Sequence, residues 1–147
     1  MRLNKPRIHN VPFLFVFAFL IFSGFSGLFS CQGETYKQGA ILYTIFCANC
    51  HMEDGSGLIG NIPPLAQADF IQNDPARMAC IIKYGLKDTI IVNGQSYHQP
   101  MAGIPKLTEF EIANIINYIN HAWGNDYGYV RMDKIRTELE DCPSLGK

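Results

Sequence analysis

The sequence predicts an all-α domain, and three segments carry that prediction. Residues 34–46 (ETYKQGAILYTIF) form a helical stretch that opens the polar part of the chain. Residues 74–86 (DPARMACIIKYGL) predict a second helix, with Asp74 as its N-cap and Pro75 in its first turn. Residues 107–125 (LTEFEIANIINYINHAWGN) predict a long third helix. No strand and helix alternation follows, so a βαβ fold is not expected.

The long helix has both a start signal and a buried face. Thr108 and Glu111 have the spacing of a capping box. Its apolar stripe consists of Ile112, Ile115, Ile116 and Ile119. Two smaller elements complete the pattern: a short hairpin at Asn93-Gly94, and a small extra helix within residues 131–141.

The N-terminal segment has the layout of an export signal. Residues 1–10 are basic, and residues 11–29 carry no charge. We therefore expect residues 1–30 to be a signal peptide of lipoprotein type or an N-terminal membrane anchor, since the apolar run is just long enough to span a bilayer. The segment ends at Cys31, where a lipoprotein would be cleaved and acylated.

The remainder divides into a linker, residues 31–37, and one domain, residues 38–147. We expect it to be exported to the periplasmic side of a bacterial membrane, an oxidising location. Beyond residue 30 the chain has nine Lys and Arg against thirteen Asp and Glu, a net charge of −4. Because nucleic-acid affinity depends on a basic surface, no nucleic-acid partner is expected.

Five cysteines occur in the sequence. If Cys31 is acylated and Cys47 acts together with Cys50, then Cys80 and Cys142 remain. In an exported protein such a pair most simply forms a disulfide, although a buried Cys80 and a free Cys142 stay open as an alternative.

The stretch CANCH, residues 47–51, predicts covalent attachment of a c-type haem. In a helical turn Cys47 and Cys50 share one face, so two thioethers can reach one porphyrin edge while His51 ligates the iron. A redox dithiol would normally start a helix after a strand, which is not the pattern here. Structural zinc would normally need a second paired motif, and none is present.

A second axial ligand has several candidates downstream of CANCH. They are Met52, Met78, His98, Met101, His121 and Met132. Met52 is too close to His51 to reach the opposite face of a haem. Met78 lies in a predicted helix, where its spacing from Ile81 and Ile82 indicates a core residue. Met101 lies in an irregular loop that can present a thioether, so it is the predicted ligand.

Residues 35–125 resemble a small monohaem class I cytochrome c of the bacterial type related to cytochrome c subunits of respiratory oxidases. The resemblance rests on Gly39 and Tyr43 before CANCH, on Pro63-Pro64-Leu65, and on the loop IVNGQSYHQPMAG. It implies helices around one covalent haem c, with a hairpin-like loop before the distal methionine. It also implies that the backbone carbonyl of Pro63 holds the imidazole of His51.

These expectations together predict an electron carrier and not an enzyme, because an iron bound by His51 and Met101 has no vacancy for substrate. Expected partners are redox proteins such as a terminal oxidase, a reductase or a dehydrogenase, together with a membrane at the N-terminus. The alternatives are a haem enzyme or a gas or redox sensor with a labile Met101, and a haem-free thiol oxidoreductase that uses Cys47 and Cys50.

Overall fold

The fold is mostly helical, and a computed structural model describes residues 35–142. The predicted export segment, Cys31 and most of the predicted linker lie outside the described residues. The helices are α1 (Lys37–Phe46), α2 (Ala48–His51), α3 (Asp69–Asn73), α4 (Arg77–Tyr84), α5 (Glu109–His121) and α6 (Met132–Glu140). The strands are β1 (Gly85–Leu86), β2 (Ile90–Val92), β3 (Gln95–Tyr97) and β4 (Met101–Ala102).

The prediction of an all-α domain with a short hairpin-like loop holds for the helices, but the fold is not purely α, because two small antiparallel sheets accompany them. In the first, β2 pairs with β3 across Asn93-Gly94. Both turn residues have positive φ, 52° and 77°, which suits the twist of a two-residue hairpin. In the second, β1 pairs with β4, and Leu86 lies opposite Met101. This second sheet joins segments far apart in sequence, so no local pattern predicted it.

Helices α1 and α5 cross at a glycine of α1. A Cβ on Gly39 would overlap the backbone of Asn114 and the Cβ of Tyr118, so α1 and α5 approach closely only because this side chain is absent. Fully buried isoleucines of α5 fill the core beside this crossing, and they include Ile112, Ile115 and Ile116.

Sequence signals located the start of α5 better than that of α4. The side chain of Thr108 accepts a hydrogen bond from the amide of Glu111 at 3.3 Å, and Glu111 accepts one from the amide of Thr108 at 2.8 Å, which confirms the capping box. The prediction of Asp74 as the N-cap of α4 is wrong. The helix begins at Arg77, because residues 74–76 form a separate turn before it.

The C-terminal part of the described chain packs back onto α4 and α5. Ile135 of α6 has no exposed surface. Cys142 forms a disulfide with Cys80 of α4, and the two Cα atoms lie 5.6 Å apart. Between residues 35 and 142, no helix has the length and apolar character needed to cross a membrane.

Candidate haem site

The CANCH segment folds as the prediction requires, in a helical turn that follows α1. Cys47 separates α1 from α2, and its carbonyl accepts hydrogen bonds from the amides of Cys50 at 3.1 Å and His51 at 2.9 Å. The helix ends at His51, because the next residue, Met52, has a φ of 63° that lies outside the helical region. Consequently both cysteines and the histidine are positioned by bonds within five residues of sequence.

His51 is buried and oriented by a backbone carbonyl. Its side chain lies among apolar residues, with 8% of the residue exposed. Its Nδ1 lies 3.1 Å from the carbonyl oxygen of Pro63. Since a carbonyl can only accept, Nδ1 carries the proton in this bond and Nε2 keeps its lone pair. Burial lowers the pKa of His51, and the Pro63 carbonyl opposes this in part, so the neutral imidazole that a metal requires is favoured.

The loop after His51 approaches Pro63 at a glycine. Gly57 has a φ of 66°, and its amide donates to the carbonyl of His51 at 3.0 Å. A Cβ at this position would overlap the carbonyl oxygens of Ile62 and Pro63. Gly57 therefore allows the loop to fold closely against the segment that holds the imidazole.

Aromatic side chains from α1 and from the segment after α5 also bond to the loop that follows His51. The hydroxyl of Tyr43 donates to the carbonyl of Met52 at 2.7 Å, and the indole of Trp123 donates to the carbonyl of Glu53 at 3.0 Å. The rings of Tyr43 and Trp123 pack at 5.0 Å between centroids. The sequence did not predict these two hydrogen bonds, because they join positions 9 and 70 residues apart.

A cavity of about 510 Å³ opens beside His51. This volume lies within the range of about 300–1,000 Å³ that is typical of small-molecule and cofactor sites. Apolar side chains line most of it, including Phe46, Leu65, Ile81, Ile82, Val92 and Ile104. Among the described residues of the lining, Asp88 is the one Asp, Glu, Lys or Arg. The cavity thus suits a large ligand with an apolar body.

The structure brings the predicted residues together around this cavity. Cys47, Cys50, His51, Pro63 and Met101 all line it. Met101 reaches it although it follows His51 by fifty residues in the sequence.

Among the other candidate ligands, Met78 also lines the cavity, but it is a buried residue inside α4. His98 is exposed and lies 2.9 Å from the hydroxyl of Thr89. His121 is bonded to the carbonyl of Asn117 at 2.8 Å. Met52, His98, His121 and Met132 are not part of the lining.

Met101 is positioned by backbone pairing and by α4. Strand β4, which begins at Met101, is paired with β1 at the end of that helix. The chain after it is held where the amide of Ile104 donates to the carbonyl of Ile82 at 2.8 Å. The ammonium of Lys83 donates to the carbonyls of Pro105 and Leu107 at 2.8 and 2.6 Å. The position of Met101 is therefore set by contacts with α4 and β1, and not by contacts with the CANCH turn.

The two cysteines of CANCH differ in exposure. Cys50 is exposed, whereas Cys47 is partly buried. Burial, with a smaller contribution from Cys50, raises the pKa of Cys47 to about 11. Redox-active thiols generally have lowered pKa values, so this environment does not favour the thiol oxidoreductase alternative.

The residues present fit a covalently bound haem c. The site supplies two thiols three positions apart, an imidazole whose Nε2 is free, and a thioether in the lining of the same apolar cavity. Imidazole and thioether are the ligand pair of electron-carrying cytochromes c. No group of three or more His, Cys, Asp or Glu side chains between residues 35 and 142 could hold a separate metal ion.

Comparison with known proteins agrees with this chemistry. The family model for Cytochrome c matches residues 36–123. A cytochrome c-552 of Thermus thermophilus is 32% identical over 112 residues, which cover 74% of this chain and 70% of that protein.

A second relative is the cytochrome c subunit of a quinone alcohol dehydrogenase from Gluconobacter oxydans. It is 35% identical over 99 residues, which cover 65% of this chain but 20% of that subunit. The chain belongs to the cytochrome c family as a small class I member, and members of this family carry covalently attached haem c and transfer electrons.

Proposed function

We propose that this chain carries single electrons on one haem c, which is bound through thioethers at Cys47 and Cys50 and ligated by His51 and Met101. The observation that supports the proposal most directly is that all four side chains line one cavity, although Met101 comes from a distant segment. Haem c supplies an iron that alternates between ferric and ferrous and accepts two axial ligands.

In this proposal the residues that line the cavity have separate roles. His51 is held by Pro63, which fixes the ring and increases the basicity of the nitrogen that faces the iron. Met101 would supply the second ligand to the iron and, as a thioether, would favour a higher reduction potential than a stronger donor. The apolar lining excludes water, which limits reorganisation when the charge changes. With His51 and Met101 both bound to the iron, no position would be open to a substrate, so the chain would act as a carrier and not as an enzyme.

Partners would exchange electrons on the side where Cys50 is exposed, because a haem attached to this cysteine would have its edge near solvent there. Suitable partners are a terminal oxidase, a reductase or a dehydrogenase. A dehydrogenase is supported by the relative that is named as a cytochrome c subunit of quinone alcohol dehydrogenase. For location, we propose the periplasmic side of a bacterial membrane, with the chain attached through a lipid on Cys31 or through an uncleaved anchor.

The test is absorption spectroscopy of the purified chain, produced together with the machinery that attaches haem c. We expect covalent haem, a low-spin spectrum and the weak far-red band of a methionine-to-iron bond. Met101→Leu should abolish that band and lower the midpoint potential, because the thioether is lost at nearly constant volume.

Met78→Leu is the matched control, because this second methionine lines the same cavity and should leave the band unchanged. Absence of covalent haem would overturn the proposal. A high-spin resting spectrum would instead favour a sensor or haem enzyme with a labile Met101. A band that survives in Met101→Leu would show that another residue is the ligand.

A further inference from the structure

A buried asparagine connects the end of α5 to the loop that orients His51. Asn125 lies two residues beyond the segment that matches the family, and 7% of it is exposed. A buried amide of this kind is costly unless its polar atoms are paired, so its partners indicate what it holds in place.

The hydrogen-bond partners of Asn125 belong to two segments of the chain, the loop at residues 65–67 and α5. Its Oδ1 accepts a hydrogen bond from the amide of Gln67 at 2.6 Å. Its Nδ2 donates to the carbonyl of Leu65 at 3.0 Å and to the carbonyl of Ile119 at 2.7 Å. One side chain therefore fastens two backbone groups of the loop to the last turns of α5.

The fastened loop is the one that contains Pro63. Leu65 is separated from Pro63 by one residue, Pro64, and proline rings fix φ in both residues before Leu65. The amide of Leu65 also donates to the carbonyl of Gly55 at 2.8 Å. Because this short segment is stiff and is held on both sides, the position of Leu65 determines the position of the Pro63 carbonyl.

We propose that Asn125 is a positioning residue for the imidazole of His51. By fixing Leu65 and Gln67, it keeps the Pro63 carbonyl within hydrogen-bonding distance of Nδ1 of His51. That bond increases the basicity of Nε2 and so stabilises ferric over ferrous iron. The inference rests on the proposed function, in which His51 ligates the iron.

The test compares Asn125→Ala with Asn117→Ala in the holoprotein. Asn117 is an equally suitable buried amide, with 4% exposed, and its side-chain amide bonds to Val130 and not to the Pro63 loop. Two quantities are measured: the midpoint potential, and the solvent exchange rate of the Nδ1 proton of His51 by NMR in the ferrous state.

We expect Asn125→Ala to raise the midpoint potential and to speed exchange of the His51 proton by about tenfold, as expected for weakening one hydrogen bond. Asn117→Ala should leave both quantities at their wild-type values even where it lowers stability. If Asn125→Ala does not fold, Asn125→Asp decides. It keeps the acceptor for Gln67 but loses the amide donor to Leu65, and it should speed exchange of the His51 proton. Only the exchange rate is read for this variant, because a carboxylate at this position would itself lower the midpoint potential.

The inference is overturned if the Asn125 variants match wild type, or if Asn117→Ala shifts both quantities equally. Failure of the proposed function is distinguishable, because the wild-type protein would then lack covalent haem or the far-red methionine band.

Discussion

The two walls of the cavity are built differently. The proximal wall, which carries Cys47, Cys50 and His51, comes from a single turn, and its hydrogen bonds mostly join residues close in sequence. The distal wall, which carries Met101, comes from α4 and two short strands that meet only in the folded chain.

This difference indicates which part of the site is easier to disturb by mutation. The proximal turn would retain its shape after the loss of one bond, because several others remain. The distal segment depends on close backbone approach at β1 and on the anchoring of α4. Anything that moves α4 should therefore affect Met101 before it affects His51.

The largest effect is expected from removing the disulfide that joins α6 to α4. In the double variant Cys80→Ala, Cys142→Ala, the free energy of unfolding should fall by about 4 kcal/mol, given a chain-entropy cost for a loop of this length; the cysteines are 62 residues apart. Denaturant titration should show the far-red methionine band disappearing at a lower concentration than in wild type.

Wild-type protein with the disulfide reduced is the control, and its free energy of unfolding should equal that of the double variant. Equal stability of the oxidised wild type and the double variant would contradict the view that α4 needs long-range anchoring.

A smaller effect is expected at the backbone contact beside Met101. Gly85 has a φ of 87°, and a Cβ there would lie 2.5 Å from the carbonyl oxygen of Met101. Gly85→Ala should cost about 3 kcal/mol in the free energy of unfolding, from left-handed strain together with overlap. It should also weaken the far-red band.

Gly94→Ala is the matched control, because Gly94 has a similar φ of 77° but no atom within 4 Å of the added Cβ. It should cost about 1 kcal/mol and leave the band intact. Equal losses in the two variants would mean that the approach of β1 to β4 is unimportant.

The smallest effect is expected on the proximal side. Tyr43→Phe removes the hydrogen bond to the carbonyl of Met52 and should lower the free energy of unfolding by about 1 kcal/mol. The bond from Gly57 to the carbonyl of His51 remains, so the methionine band and the midpoint potential should be unchanged. If Tyr43→Phe lowered the free energy of unfolding more than Gly85→Ala does, the proximal wall would be the more sensitive of the two, contrary to this expectation.

Several features were predictable because their signals are local. The capping box of Thr108 and Glu111 and the hairpin at Asn93-Gly94 depend on residues within a few positions of each other, and both predictions are confirmed. The start of α4 was misplaced at Asp74, because a suitable cap residue does not show whether the next residues continue as a helix or as a turn. The anchoring role of Asn125 had only an indirect signal, a polar residue close to an apolar helix.

The chemistry of the site can be read from the linear sequence: two thiols and an imidazole have the spacing of covalent haem attachment, and the chain belongs to the cytochrome c family. The folded structure was needed to show that Met101 shares a cavity with His51, that β1 pairs with β4, and that Asn125 bonds to the loop containing Pro63. The physical reason is separation along the chain. A motif within one helical turn is fixed by local dihedral angles, whereas contacts across many residues exist only when packing brings the segments together.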